Sequence, residues 1–383
     1  MIIDQFTLIL GITVILLAII ASLASPFLHK VKMKSGKQIS EHKETQPNLS
    51  IVIPVHNNAT ELQSNLPILL RQEYKGNYQV IIVADKGDRD VEELMKRLKE
   101  KHDNLYVTYL PDSSRYMSRK KLAITLGVRA AKTEWIAITN PTCKPVNEDW
   151  LTSWAENMED DTDFVMGYVA LGKSVPPLWR FEHIQTANNR LHSAQCGKAW
   201  ATNCFNIAFR KSRFMEEEGF RGNLQITRGE YDFLTNKLGL NRNVTVDIRQ
   251  ASWLYEDEIS DEEWKKRKKY FYASRNLLNG SRSYSLCMLF NNVMLYLSFL
   301  TSLAFSVFGY LSHNWIVLGC SSFSLLLLIV LRTFLASKVS RCLGGDIGLS
   351  HMFAYDMRLV WQNLGYKISY IRSDKNYFTS HKL

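Results

Sequence analysis

Apolar residues run unbroken in some stretches of the chain and recur with a regular period in others. Residues 6–28 contain no charged side chain, and a helix of that length, rising ~1.5 Å per residue, covers a hydrocarbon core of ~30 Å. No Asp, Glu, Lys or Arg falls between Arg282 and Arg332, room for two spans with a polar break at Ser312-His313-Asn314. Between these stretches, short β-branched runs at 49–55, 78–84, 105–109 and 135–139 alternate with helical patterns at 60–71, 91–101 and 117–131. That alternation predicts an α/β fold with a parallel sheet and helices on both faces. Ligands of open α/β sheets sit at the carboxyl ends of the strands, so the loops after Val55, Ala84, Tyr109 and Thr139 are the ones to inspect.

Charge orients the apolar stretches. The 383 residues carry 47 Lys and Arg against 37 Asp and Glu, a formal net charge of +10. Lys30, Lys32, Lys34, Lys37 and Lys43 follow the first apolar run, while Arg275, Arg282, Arg332, Lys338 and Arg341 flank the second. The excess of cations beside the spans predicts that residues 48–279 stand in the cytoplasm, with the amino terminus and the uncharged turn at His313 outside. Ser22-Leu23-Ala24 resembles a cleavage site, but no basic residue precedes the run, so a retained anchor is expected rather than a signal peptide. The expected organisation is an N-terminal transmembrane anchor at 1–29, a basic linker at 30–47, a soluble α/β domain at 48–279, a transmembrane hairpin at 283–336 and an amphipathic interfacial tail at 337–383, in the inner membrane. Asn291 and Asn292, inside the second span, are expected to bond a neighbouring helix.

Other chemistries leave no mark. The six cysteines, Cys143, Cys196, Cys204, Cys287, Cys320 and Cys342, include no CxxC pair, so neither a zinc site nor a disulfide framework is signalled. Motifs of P-loop hydrolases, zinc proteases and serine hydrolases are absent. His183 and His192 are expected to be structural or to contact an acceptor. The basic runs lie beside apolar spans, which accounts for them without nucleic acid.

The strand-end residues carry a resemblance. Pro54-Val-His-Asn57 after the first run and Asp85-Lys-Gly87-Asp-Arg-Asp90 after the second resemble the nucleotide-binding segment of membrane-bound bacterial family 2 inverting glycosyltransferases, with patterns near P-x-x-N and D-D-G-S-x-D. The stretch from Lys120-Lys121 to Thr139 resembles the helix and strand that lead to that family's metal-binding DXD. The resemblance covers roughly residues 48–278 and implies a GT-A, Rossmann-like nucleotide-diphospho-sugar transferase fold, one N-terminal and two C-terminal transmembrane helices, a nucleotide-sugar donor, a lipid-linked or glycan acceptor, and membrane lipids as partners. It assigns donor contacts to Pro54, Asn57, Asp85, Lys121, Asn140 and Thr142.

The chemical positions depart from the pattern. Where family members read T-D-A-D-C-x-P, this chain has Thr139-Asn140-Pro141-Thr142-Cys143-Lys144-Pro145, so both aspartates of DXD are replaced. A hard divalent cation prefers anionic oxygens, and no metal or other cofactor is expected. In Gly229-Glu230-Tyr231-Asp232, Tyr231 stands where the general-base aspartate is expected; Glu230 and Asp232 beside it are candidate bases for the acceptor hydroxyl, or simply helix-capping carboxylates. In 262–271, Trp264, Arg267 and Lys268 resemble the tryptophan and basic cluster above the family's active site, and would meet either the leaving diphosphate or anionic lipid headgroups. Two functions stay open: an active transferase, or a catalytically inactive glycosyltransferase-like subunit that binds nucleotide, glycan or protein.

Overall fold

The computed structural model describes residues 5–32, 46–111, 117–202 and 205–379. In chain order they form α1 (Gln5–Leu23), β1 (Leu49–Pro54), α2 (Ala59–Leu70), β2 (Tyr78–Asp85), α3 (Arg89–Lys99), β3 (Leu105–Leu110), α4 (Arg119–Ala130), β4 (Trp135–Ile138), β5 (Cys143–Pro145), α5 (Trp150–Ala155), β6 (Phe164–Met166), β7 (Val169–Leu171), α6 (Pro177–Gln195), β8 (Ile207–Arg210) and α7 (Lys211–Glu216). Next come α8 (Glu230–Gly239), β9 (Val244–Val246), β10 (Leu254–Glu256), α9 (Asp261–Ser274), α10 (Ser281–Leu311), α11 (Trp315–Cys342), α12 (Leu349–Arg372) and α13 (Asn376–Thr379). The chain divides into two compact units, one of Met1–Lys30, Pro177–Asn189 and Gly280–Gly365, the other of Val31–Pro176, Arg190–Asn279 and Tyr366–Leu383.

The second unit is built on a sheet in the order β3-β2-β1-β4-β8-β6-β9. Strands β3, β2, β1 and β4 are parallel, the βαβ arrangement that the alternating pattern predicts. All six residues of β1 are buried, which explains its unbroken apolar reading: a central strand covered on both faces has no polar side. Helix α4 crosses it closely, since a Cβ added to Gly127 would lie 2.4 Å from Val52 Cγ1. Capping fixes the helix starts, with Asp88 accepting from the Val91 amide and Ser118 from that of Lys121. Beyond β4 the sheet is mixed rather than parallel, because β8 runs antiparallel to both β4 and β6 while β9 is parallel to β6. A small second sheet has the order β5-β10-β7.

The other unit packs α1, α10 and α11 around Ala18, Ala21, Leu295 and Leu328, with Phe299, Phe353 and Met357 alongside. Its polarity is inverted. Ser302, Ser321 and Ser324 are buried, while Leu8, Ile12, Leu286, Leu289, Phe290, Leu300, Phe323 and Leu326 face outward. Ser324 Oγ donates to the Val14 carbonyl at 2.9 Å and Ser306 Oγ to Ser321 Oγ at 2.9 Å, so these hydroxyls are satisfied within the helix group. Helices α10 and α11 are long and apolar enough to cross a membrane. Helix α1 falls short of the expected full-length span: it stops at Leu23, before Pro26 and five residues before the charge-free run ends, so its 19 residues reach only about 28 Å.

This unit also buries an ion pair. Arg332 of α11 donates through Nε to Asp356 Oδ2 of α12 at 2.6 Å, through Nη1 to the Ala21 carbonyl at 2.8 Å and through Nη2 to Asn291 Oδ1 at 2.8 Å. Asn291 thus bonds a neighbouring helix, as its position inside the apolar run predicts.

Candidate functional site

Three strand ends converge at the carboxyl edge of the parallel half-sheet. Register pairs Pro54 of β1 with Val83 of β2, so the residues following each strand emerge side by side. Asp85 closes β2; its carboxylate is bonded to His56 Nδ1 from the β1 loop and accepts from Arg119 Nε at 2.8 Å and Nη2 at 2.5 Å. Burial raises the Asp85 carboxyl, but the bonds and charges of His56 and Arg119 outweigh it, so the group sits below its ordinary range. Asn57, beside His56, adopts a left-handed conformation at φ 55°, which asparagine tolerates better than most residues.

The loop after β4 leads to a second, larger cluster. Asn140 Nδ2 donates to Thr142 Oγ1 at 2.9 Å, and Thr142 Oγ1 donates to Glu256 Oε1 at 2.7 Å. Glu256 ends β10, where it pairs with Cys143, and is 2% exposed. Arg267 of α9 lays its guanidinium along that carboxylate, Nη1 to Oε2 at 2.8 Å and Nη2 to Oε1 at 2.7 Å, and reaches Glu263 Oε1 with Nε at 3.2 Å. Arg228 holds the other side of Glu263 at 3.0 and 3.1 Å. Burial acts against the Arg267 charge, yet Glu256 and Glu263 raise the group above an already high value; Glu263 is correspondingly lowered, its burial outweighed by Arg228 and Arg267. Lys120, at the start of α4, forms an ion pair with Glu230 at 3.5 Å. Its ammonium lies 5.3 Å from the Phe205 ring, and the Arg267 guanidinium lies 4.8 Å from the same ring, so two cations lie against one aromatic ring.

Helix α8 sends its three leading side chains in different directions, as a 100° step per residue requires. Gly229 precedes it at φ 91°, a conformation that costs glycine no steric strain. Glu230, 4% exposed, joins Lys120. Tyr231 donates its hydroxyl to the Thr139 carbonyl at 3.2 Å. Asp232 turns away to accept from the Thr202 amide at 3.0 Å and from Arg190 at 3.4 Å. Burial pushes Asp232 up to about 6 against the pull of Arg190 and the Thr202 amide.

The expected site residues therefore separate. Asn140, Thr142, Glu230 and Arg267 share the charged cluster, and Pro54, Asn57 and Asp85 lie at the β1 and β2 ends. Lys121 is fully buried and donates to the carbonyls of Asn223, at 2.5 Å, and Ile226; burial lowers it to about 8 although Glu230 opposes the shift. Trp264 donates to the Tyr366 hydroxyl at 3.1 Å, with Lys268 over its ring at 4.4 Å, so those two side chains face the C-terminal segment instead of Glu256. Sequence reasoning missed Glu256, His56, Arg119 and Lys120. A signal for the last two existed: Arg119, Lys120 and Lys121 occupy the first turn of α4, which has no acidic residue, and cations are disfavoured at that end of the helix dipole unless an anion is to be met there.

A hard divalent ion fits poorly here. Asn140 and Thr142 are neutral, both oxygens of the adjacent Glu256 are taken by a guanidinium, and among the described residues no three of His, Cys, Asp and Glu gather as a metal-holding group.

The decisive comparison is with a family model described as glycosyl transferase family 21, which matches residues 12–249. The chain belongs to glycosyl transferase family 21. The resemblance to family 2-type glycosyltransferases is thereby upheld, and the match runs from within α1 through the parallel half-sheet and the DXD-like loop. Chondroitin synthase of Escherichia coli is 28% identical over 133 residues, 34% of this chain and 19% of that protein; the chain thus matches about a fifth of the length of that relative. Among solved structures, the mannosyltransferase PcManGT from Pyrobaculum calidifontis, in complex with GDP-Man and Mn2+, superimposes with a TM-score of 0.55 at 12% identity over 95% of this chain and 98% of that one. TarS 1-349 from S. aureus gives a TM-score of 0.43 at 15% identity over 82% and 91% of the two chains. The fold is that of the GT-A glycosyltransferases.

Proposed function

We propose that the chain transfers a sugar, with inversion, from a nucleotide-sugar donor to a lipid-linked or envelope glycan acceptor at the cytoplasmic membrane face. The observation that carries this reading is the convergence of the β1, β2 and β4 ends, where Asp85, held by Arg119 through Oδ1 and by His56 through Oδ2, keeps one Oδ2 lone pair for an N–H or O–H group of a nucleoside. GDP-Man in PcManGT is a nucleotide sugar, which supports the same class of donor here. Pro54 and Asn57 border the donor, and Asn140 and Thr142 line its far side.

Glu230 is the better placed of the two candidate bases. It lies with Lys120 and the Arg267 cluster, whereas Asp232 is engaged with Thr202 and Arg190. In the reaction the acceptor oxygen bonds to the anomeric carbon as its proton passes to Glu230, and the bond from that carbon to the diphosphate breaks with its electron pair on phosphate oxygen. The apolar helices α10 and α11 support a membrane-anchored enzyme. The cationic flanks support an orientation with the α/β domain inside; a cysteine beside Asn314 is then expected to label from outside the cell and one at Glu92 is not.

Calorimetry tests the donor site. UDP or GDP is expected to bind the detergent-purified chain, and Asp85→Ala is expected to weaken that binding about tenfold, the cost of one charge-assisted contact. Unchanged affinity in a folded variant removes Asp85 from the site. A non-catalytic binding subunit is the second reading, favoured by Tyr231 at the expected base position with its hydroxyl on Thr139; it predicts nucleotide binding without turnover.

A further inference from the structure

The geometry points to Arg267, seated on Glu256 beside Thr142 and working with Lys120, as the fixed cation that takes the donor's diphosphate in place of a divalent metal. This assignment rests on the nucleotide-sugar reading above and names the group that would meet the leaving charge.

The first support is the donor set. The loop that would carry a metal's carboxylates presents an amide and a hydroxyl, and the hydroxyl proton is already directed at Glu256. Glu256 is the carboxylate bonded to Thr142, and its two oxygens are both covered by Arg267, while the neighbouring Asp257 is paired with Lys144. A metal ion there would have to displace an end-on, two-bond guanidinium pair lying against an aromatic ring, and would meet that guanidinium's own positive charge.

The second support is what Arg267 has left to give. A guanidinium has five N–H groups in a planar fork. Three are engaged, one with Glu263 and one with each oxygen of Glu256. The other two, one on each terminal nitrogen, meet no acceptor among the described residues, and the side chain keeps 23% of its surface exposed. With the end-on edge on Glu256, these two N–H groups diverge, so each can meet one phosphate oxygen, and a guanidinium held on two carboxylates loses little further freedom on binding. Lys120 lies against the same Phe205 ring, and burial lowers the Lys120 ammonium even though Glu230 favours its charge. An incoming anion relieves that cost. Lys120, Arg228 and Arg267 pair with Glu230, Glu263 and Glu256, so no carboxylate is left in excess to repel the charge arriving with a diphosphate. As the sugar–oxygen bond breaks, the electron pair gathers on the phosphate oxygen, and two preset cations stabilise it without any change in coordination.

The test is calorimetric titration of UDP and GDP into the full-length chain in detergent, with Mn2+ and again with EDTA. Affinity is expected to agree within about twofold between the two conditions, and Arg267→Gln is expected to lose about tenfold or more in both. Because Arg267→Gln strands a buried carboxylate, the double variant Arg267→Gln/Glu256→Gln, which leaves no unpaired charge, is measured beside it and is expected to show the same loss with an intact thermal transition. Binding that requires Mn2+ and survives the double substitution overturns the guanidinium assignment alone. Absence of UDP and GDP binding under both conditions overturns the donor-site reading, and this assignment with it.

Discussion

Arg332→Met tests how the apolar helices are held together. In the native chain the guanidinium is buried with three hydrogen bonds, to the Asp356 carboxylate, the Ala21 carbonyl and the Asn291 side chain. Removing it leaves the Asp356 carboxylate, itself only 5% exposed, with one long contact from Gln185 Nε2 at 3.5 Å, and leaves two neutral acceptors without this donor. Breaking one side of a buried pair costs about 3–5 kcal/mol, chiefly through the stranded charge. Replacing both partners by apolar residues of similar size removes that charge, so Arg332→Met/Asp356→Leu is expected to cost about 1 kcal/mol or less, and since each single variant strands one buried charge the coupling between the sites is about 5 kcal/mol or more. The assay is reversible unfolding of the detergent-purified chain followed by far-UV circular dichroism, in wild type, both single variants and the double. Additive losses, or a loss below about 1 kcal/mol in Arg332→Met alone, would refute the view that α1, α10, α11 and α12 are clasped at this pair.

Three further outcomes follow from the α/β unit. Glu230→Gln is expected to lower transfer by about 10²–10⁴ while UDP affinity is retained, and Asp232→Asn to lower it far less, measured by steady-state kinetics; the reverse order makes Asp232 the base. Asp232, raised to about 6 by burial, holds its proton more tightly folded than unfolded, so its contribution makes stability fall as pH rises from about 4 to about 6 and then level off; comparing denaturation of wild type and Asp232→Asn across that window isolates the slope, and parallel curves would contradict it. Lys121→Met removes the donor to the Asn223 and Ile226 carbonyls and is expected to cost about 1–3 kcal/mol of stability, visible as a lowered thermal midpoint; an unchanged midpoint would show that the ammonium does not hold this turn.

The first half of the α/β unit was legible because its signals are local. Residues such as Val52 and Ile82 sit in strands buried on both faces, and Asp88 and Ser118 mark helix starts in one or two residues. Past Cys143 the strands shrink to three or four residues, too short for any period to register, and the antiparallel half of the sheet went unforeseen. The site divides the same way. Asp85 and Asn140 follow strands directly and were visible from position alone. Glu256 meets Thr142 across 114 residues of chain and Arg267 meets Glu256 through a helix packed later in the sequence, contacts that only tertiary structure creates. Trp264 and Arg267, three residues apart on α9 and read as one motif, engage different partners.

The central claim is that this chain uses a nucleotide sugar. Its most direct test is to incubate the detergent-purified full-length chain with a panel of UDP- and GDP-sugars, supplying membrane lipid extract as acceptor, and to measure release of free nucleoside diphosphate with and without divalent metal. Release of UDP or GDP from one or a few donors, retained in EDTA and lost in Glu230→Gln, is the predicted result. No release from any donor under either condition, with wild-type protein shown to be folded, would contradict it.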